Sequence, residues 1–439
     1  MSKIILFFKT CKKEGTKKAI IRAMADLMGI KILGFYEKNK NKEKIIYKYK
    51  IPKESVQAPA LINEAIKHGM FYEPDKILEL INTCVAETLM NYGQFLNETG
   101  TDVYENRKKI FEYALQVDQN QKYMEHLAKN IFNQWEWEGP SLNMLERCEQ
   151  VLNTNDVAKQ IRKKIYLIYI SSLLELKNQT KAQEILEEYI SEYEKQDIHL
   201  FYPVALLADK LEVGNEKIHK AAIVCKVIFQ NENLLETYIA GKNVAIVGSG
   251  PYELGKNKGK EIDHHDVVIR FNDYRTKGFE RDYGIKTTVW VRNIDTENGG
   301  CKDRLNDING FDLIVLETNI WRFSIPEIFL ETFYQYAVKE PQKLYMLKRR
   351  DEMIKDMGCF PTSGGLTLYN ILMENSKTID VYGFSGINNT DISDKKMKHY
   401  QDKEDLYKKS NLHHNVIVEN SYLNNMYMSW KKTEENKNT

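Results

Sequence analysis

The sequence predicts an α/β fold in its C-terminal half, a mainly parallel, Rossmann-like sheet with helices on both faces, preceded by an all-α segment. Three observations carry this. From about residue 74 to 235, apolar residues recur every three or four positions, the period of a helix that buries one face. Beyond Gly241, short β-branched runs appear at 244–247, 267–271, 287–291, 313–316, 344–347 and 379–382. Helical stretches at 325–338 and 366–374 separate several of these runs, and strands alternating with helices imply parallel pairing.

With 439 residues, the chain exceeds what one core usually fills, so more than one domain is expected. Residues 1–55 form a basic leader, with fifteen Lys or Arg against five acids. That excess predicts either a solvated basic face or attraction to an anionic membrane surface. Nothing downstream resembles a base-reading module, so nucleic acid is not an expected partner. Residues 56–238 read as a helical domain. The stretch 173–186 reads helix, short turn, helix, the texture of a helical-hairpin repeat. It fits a docking arm for a protein partner, or, more simply, helices packed against the second half. Residues 239–439 are the expected catalytic domain.

Composition fits a soluble globular chain, 42% hydrophobic and 28% charged. Six scattered cysteines without a CxxC pair predict reduced thiols in a cytosolic setting. No apolar run approaches the ~20 residues of a membrane span, and no signal-peptide pattern is seen. The expected location is cytoplasmic, with peripheral contact at the inner face of the plasma membrane through the leader.

Three polar clusters in the C-terminal half suggest chemistry. The first is Val244-Ala245-Ile246-Val247-Gly248-Ser249-Gly250, continuing through Ile262-Asp263-His264-His265-Asp266 to Arg270-Phe271-Asn272. A buried strand ending in Gly-x-Gly brings backbone amides close to a phosphate or ribose. A dinucleotide fingerprint is the alternative, although the next glycine, Gly255, lies too far on. Asn272 closes its strand with an amide that can both donate and accept, or it simply turns the chain. The second cluster is Pro361-Thr362-Ser363-Gly364-Gly365. Thr362 or Ser363 would cap the following helix, facing amides and hydroxyls toward a phosphate or carboxylate.

The third cluster holds His399, His413 and His414, within sixteen positions of a chain with nine histidines. A histidine near its ordinary pKa is the usual proton acceptor for a sugar hydroxyl at neutral pH. Glu419 lies at the start of a predicted helix running to Trp430 and could orient a ring or an acceptor. Zinc is an alternative for the histidines, but adjacent His residues project differently and neither HExxH nor a cysteine partner occurs. The chain contains no Asp-x-Asp, the pair with which metal-dependent sugar transferases commonly hold a divalent ion and a diphosphate. No metal or other cofactor is therefore expected, and the donor should carry a monophosphate.

These residues resemble the sialyltransferases of glycosyltransferase family 29. Residues 244–288 are similar to its large motif, through Ile262-Asp263, His265-Asp266, Arg270, Asn272 and Phe279 to Thr288. Residues 361–383 resemble the small motif, His399-Tyr400 with Asp402 the third, and His414 with Glu419 the last. The resemblance covers the C-terminal half alone. It implies a GT-A-variant fold, a CMP-activated donor as co-substrate and metal-independent inversion at the anomeric carbon. It further implies His414 as the base and His399 as a contact to the donor phosphate. Asn272 and Ser249, with Gly248 and Gly250 beside it, would contact the nucleotide. Ser363 and Gly364, with Thr362 and Gly365, would hold the phosphate or the donor carboxylate.

Two departures shape the expectation. The family's disulfide between large and small motifs falls here on Val244 and Ser376, which fits a cytosolic, bacterial member. Gly248-Ser249-Gly250 stands where the family has Gly-Asn-Ser, leaving sialic acid, Kdo or another nonulosonic acid as candidate sugars. The expected activity is transfer to a glycan or glycolipid acceptor in capsule or lipooligosaccharide assembly. A non-catalytic glycan- or nucleotide-binding scaffold, or a transferase using another nucleotide sugar, are the alternatives.

Overall fold

The computed structural model describes residues 123–154, 157–292, 310–317, 319–322, 325, 327–357, 360–374, 376–387 and 416–437, and three two-residue strands. Those strands, β1 (Gly34–Phe35), β2 (Ile45–Ile46) and β3 (Met70–Phe71), pair antiparallel in the order β2-β1-β3. They belong to one compact unit, residues 1–130, and residues 131–439 form a second. Apart from β1 and β2, the basic leader lies outside the described residues.

The second unit is built on a six-stranded sheet: β4 (Asn243–Val247), β5 (Val267–Phe271), β6 (Val289–Arg292), β7 (Leu313–Leu316), β8 (Leu344–Met346) and β9 (Thr378–Tyr382). Every neighbouring pair is parallel, in the order β8-β7-β6-β5-β4-β9. The chain steps outward from β4 to β8 and returns on the far side of β4. The order therefore reverses between β4 and β9, where an open α/β sheet leaves a crevice at its strand ends. All residues of β5, β6 and β7 are buried, which explains why they are apolar but for Arg270 and Arg292: a parallel sheet is covered on both faces.

The helices are α1 (Tyr123–Trp137), α2 (Leu142–Leu152), α3 (Lys159–Glu175), α4 (Gln179–Glu192), α5 (Tyr202–Lys210), α6 (Glu216–Gln230), α7 (Leu234–Ile239), α8 (Gly259–His264), α9 (Glu280–Tyr283), α10 (Glu327–Lys339), α11 (Arg350–Met357), α12 (Ser363–Leu372) and α13 (Val416–Lys437). The helix–turn–helix read at 173–186 is the α3–α4 junction, where Asn178 caps α4 by accepting from the Lys181 amide. Ser141 and Asn215 cap α2 and α6 in the same way, each satisfying one of the orphan donors of a helix start.

Helices 131–239 and the sheet are fastened together. Asn231 donates from Nδ2 to the carbonyls of Pro341 (2.5 Å) and Leu344 (2.7 Å). Ser171 donates to Trp321 O at 2.6 Å, and buried Arg322 pairs with Glu175 at 2.7 Å and Asp351 at 2.9 Å. Buried Trp137, the last residue of α1, packs its ring 3.8 Å from that of Phe360. No described helix is long and apolar enough to cross a membrane.

Candidate functional site

The ends of β4, β5 and β9 and the start of α12 bring the first two polar clusters together. The Gly248–Gly250 loop follows β4 and lies against the turn that follows β9. Gly248 N–H donates to Tyr382 O (2.8 Å) and Gly250 N–H to Gly383 O (2.9 Å). A Cβ on either glycine would fall within 2.7 Å of Gly383 O. These glycines thus answer first to the neighbouring turn, and two amides expected to face a ligand are spent inside the fold. Ser249 lies between them, partly exposed.

The stretch after this loop is a frame for it. Tyr283 donates its hydroxyl to Gly250 O at 2.6 Å and accepts from Glu253 N at 3.1 Å. Asp282 accepts from Gly255 N and Asn257 N, and Asp263 from Ile285 N and Lys286 N. His265 bonds Asp380 through Nε2 at 3.0 Å. That bond, together with backbone carbonyls at Nδ1, raises the His265 pKa against the opposing effect of burial. The Asp380 carboxyl is correspondingly held low. The Ile-Asp-x-His-Asp signature therefore does structural work.

Asn272 closes β5 with φ +48°, a left-handed conformation that Asn tolerates better than most residues. Its backbone is fixed on both sides, N–H donating to Val291 O (2.9 Å) and O accepting from Trp290 Nε1 (2.8 Å). The side chain is directed to α12, with Nδ2 3.4 Å from Ser363 Oγ. The turn reading and the ligand reading of this residue are thus compatible: the turn aims the amide.

Thr362 is the N-cap of α12, its hydroxyl accepting from Gly365 N at 3.0 Å. Its own N–H and O–H both donate to Glu419 Oε1, each at 2.9 Å. Glu419 comes from the first turn of α13 and is 1% exposed. Burial, with Thr362 opposing and nearby Glu317 adding, pushes its pKa up to about 7. Gly365 is required here, because a Cβ would lie 1.5 Å from Glu419 Oε1. Gly364 faces the ring of Phe384, which a Cβ would approach to 2.9 Å. Phe384 also touches the Gly248 side, so one ring separates the two loops.

Gly248, Ser249, Gly250, Asn272, Thr362, Ser363, Gly364, Gly365 and Glu419 therefore lie on loops and helix starts at one end of the sheet. His399, His413 and His414 lie outside the described residues. Val244 pairs with Ile379, three residues beyond Ser376, so the two positions matched to the family's disulfide do not face each other across the ladder. Glu317 and Phe384 were not singled out as site residues. The available signal for Glu317 was an acid directly ending an apolar strand; for Phe384, an aromatic following the glycine after β9.

A model of glycosyltransferase family 29 (sialyltransferase) matches residues 208–298, from the end of α5 past the end of β6. The β-galactoside α-2,6-sialyltransferase 1 of Mus musculus is 31% identical over 161 residues, covering 32% of this chain and 40% of that protein. The β-galactoside α-2,6-sialyltransferase 2 of Danio rerio is 50% identical over 52 residues, 12% of this chain and 10% of that protein. This chain thus spans less than half the length of these relatives. A crystal structure of a mammalian sialyltransferase with Gal-β-1-3GalNAc-ortho-nitrophenol aligns with TM-score 0.32 at 18% identity, over 54% of this chain and 84% of that one. The residues matched by the family model include the Gly248–Gly250 loop and Asn272, whose amide the fold aims at the start of α12, so the likeness to glycosyltransferase family 29 falls on the site described above.

Proposed function

We propose that this protein transfers sialic acid, or a related nonulosonic acid such as Kdo, from a CMP-activated donor to a glycan hydroxyl. The observation that carries the reading is the meeting of Asn272 with the Thr362–Gly365 helix start at one end of the sheet. Amides, hydroxyls and the positive end of the α12 dipole converge there, the surroundings that favour a phosphate or carboxylate. Ser249 and Asn272 bind the nucleotide, and Ser363 with Gly364 the donor's phosphate or carboxylate. His414 takes the proton of the acceptor hydroxyl as its oxygen bonds the anomeric carbon. The bond from that carbon to the phosphate oxygen breaks on the opposite face, and CMP leaves with His399 at its phosphate. Configuration inverts and no metal takes part. In sequence, His414 lies two residues ahead of α13, whose first turn is anchored on Thr362 through Glu419.

The acceptor to try first is a β-galactoside, the class in the relatives' names. Surface polysaccharide assembly at the cytoplasmic membrane, with the basic leader against anionic lipid, is the proposed setting. The test is calorimetric titration with CMP in EDTA, with UMP, GDP and NAD as controls, followed by transfer assays with CMP-sialic acid and CMP-Kdo. Selective CMP binding and transfer abolished in His414→Ala support the reading. Preference for another nucleotide, or transfer unaffected by His414→Ala, overturns it.

A further inference from the structure

Glu253 ends the single 3₁₀ turn, Pro251–Glu253, that follows the Gly248–Gly250 loop, and it is 6% exposed. Its Oε1 accepts from the Gly383 amide at 3.3 Å, across 130 positions of sequence. Its Oε2 lies 3.4 Å from Nζ of Lys256, an exposed side chain. With one backbone amide and one surface lysine as its bonded partners among the described residues, a carboxylate is costly to bury. The apolar cluster on this face of the sheet, Ala245, Val247, Ile262, Val268, Tyr283 and Tyr382, has no need of it.

Four hydrogen bonds close a circuit through this residue. Gly383 N–H donates to Glu253 Oε1, Glu253 N–H to Tyr283 Oη (3.1 Å), Tyr283 O–H to Gly250 O (2.6 Å), and Gly250 N–H back to Gly383 O (2.9 Å). The circuit joins the loop after β4 to the turn after β9, the two strands between which the order of the sheet reverses. Gly383 has φ +68° and the widest backbone freedom of any residue, so its hydrogen bonds decide where the turn sits. The next residue, Phe384, carries the ring that lies beside both Gly248 and Gly364. A shift of the Gly383 turn therefore moves that ring and changes the spacing between the Ser249 loop and the start of α12.

We propose that Glu253, with Tyr283, is a positioning residue for the donor: it holds the Gly383 turn against the Gly248–Gly250 loop and so sets the width of the crevice that receives the CMP-linked sugar. This rests on the donor-binding reading above. A glutamine keeps a carbonyl oxygen for the Gly383 amide, whereas methionine keeps the volume and leaves that amide without an acceptor.

The experiment is calorimetric titration of CMP into the full chain and into Glu253→Met, Glu253→Gln, Lys256→Met and Tyr283→Phe, with thermal unfolding of each. Glu253→Met and Tyr283→Phe should each weaken CMP binding about tenfold, or about 1.4 kcal/mol, while keeping a native thermal transition. Glu253→Gln should stay within about threefold of the starting protein, and Lys256→Met within about twofold, because the lysine reaches only Oε2. Unchanged binding in Glu253→Met, failure of Glu253→Gln to rescue, or a loss in Lys256→Met as large as in Glu253→Met would overturn the proposal alone. If Glu253→Met has no native transition, Tyr283→Phe decides. Weaker binding with a native transition there supports the clamp; unchanged binding, or no native transition there either, replaces it with a structural role. A starting protein that does not bind CMP would overturn the donor reading together with it.

Discussion

Glu419 Oε1 accepts hydrogen bonds of 2.9 Å from both the amide and the hydroxyl of Thr362. One carboxyl oxygen therefore ties the first turn of α13 to the N-cap of α12, across 57 positions of sequence. The same carboxyl is buried deeply enough to raise its pKa to about 7, so this tie titrates near neutral pH.

The stability contribution of Glu419 should fall as pH rises. Its folded pKa lies above the ordinary 4.5, so the folded state holds the proton more tightly than the unfolded chain. The benefit is complete below about pH 4.5 and is lost as pH rises through about 7, on the order of 3 kcal/mol. Glu419→Gln, which does not titrate, should match the starting protein near pH 5 and exceed it in melting temperature near pH 8. Thermal unfolding across that range checks this; a difference that is constant with pH would contradict it.

Gly365→Ala should be among the most damaging single-methyl additions in the chain, because the new carbon would occupy the position of Glu419 Oε1. A loss of about 3 kcal/mol is expected for overpacking of this kind. Shortening the obstacle should relieve it, so Gly365→Ala combined with Glu419→Ala should cost less than the sum of the two. Denaturant unfolding of the two single variants and the double variant measures this directly.

The His265–Asp380 pair should stabilise the fold most at acidic pH. Asp380 raises the His265 pKa above its ordinary 6.5, so the contribution is present below that value and disappears as pH rises through the folded pKa. Asp380→Asn should therefore destabilise more near pH 5.5 than near pH 9. Equal destabilisation at both pH values would show that the pair does not titrate as described.

Asn272 separates conformation from chemistry. Its positive φ suits glycine at little cost, whereas a β-branched residue is strained there by about 1–2 kcal/mol. Asn272→Gly should keep the melting temperature within a few degrees and weaken CMP binding about tenfold or more. Asn272→Val should lose both. Paired melting and calorimetry distinguish the two effects.

The period of the apolar residues was enough to locate the sheet. A strand covered on both faces selects apolar residues, so 267–271, apolar but for buried Arg270, and 313–316 are the observed β5 and β7 to the residue. Ends governed by side-chain bonds drifted. The run at 287–291 begins its ladder only at Val289, because Thr288 bonds Val268 N through its hydroxyl instead. Helix α12 starts at Ser363 rather than 366, because Thr362 caps it. Short α8 and the polar α11 carried no periodic signal long enough to read.

Residues close together along the chain were enough for the fold class, the glycine loops, a cap at Thr362 or Ser363 and the order of the motifs; the structure chose Thr362. Tertiary structure alone decided what the glycines are for and which carboxyls count. Gly248 and Gly250 are small because Gly383 lies against them, and Gly365 because Glu419 does. Such demands are set by atoms tens of residues away, and local periodicity holds no record of a distant neighbour's volume or charge.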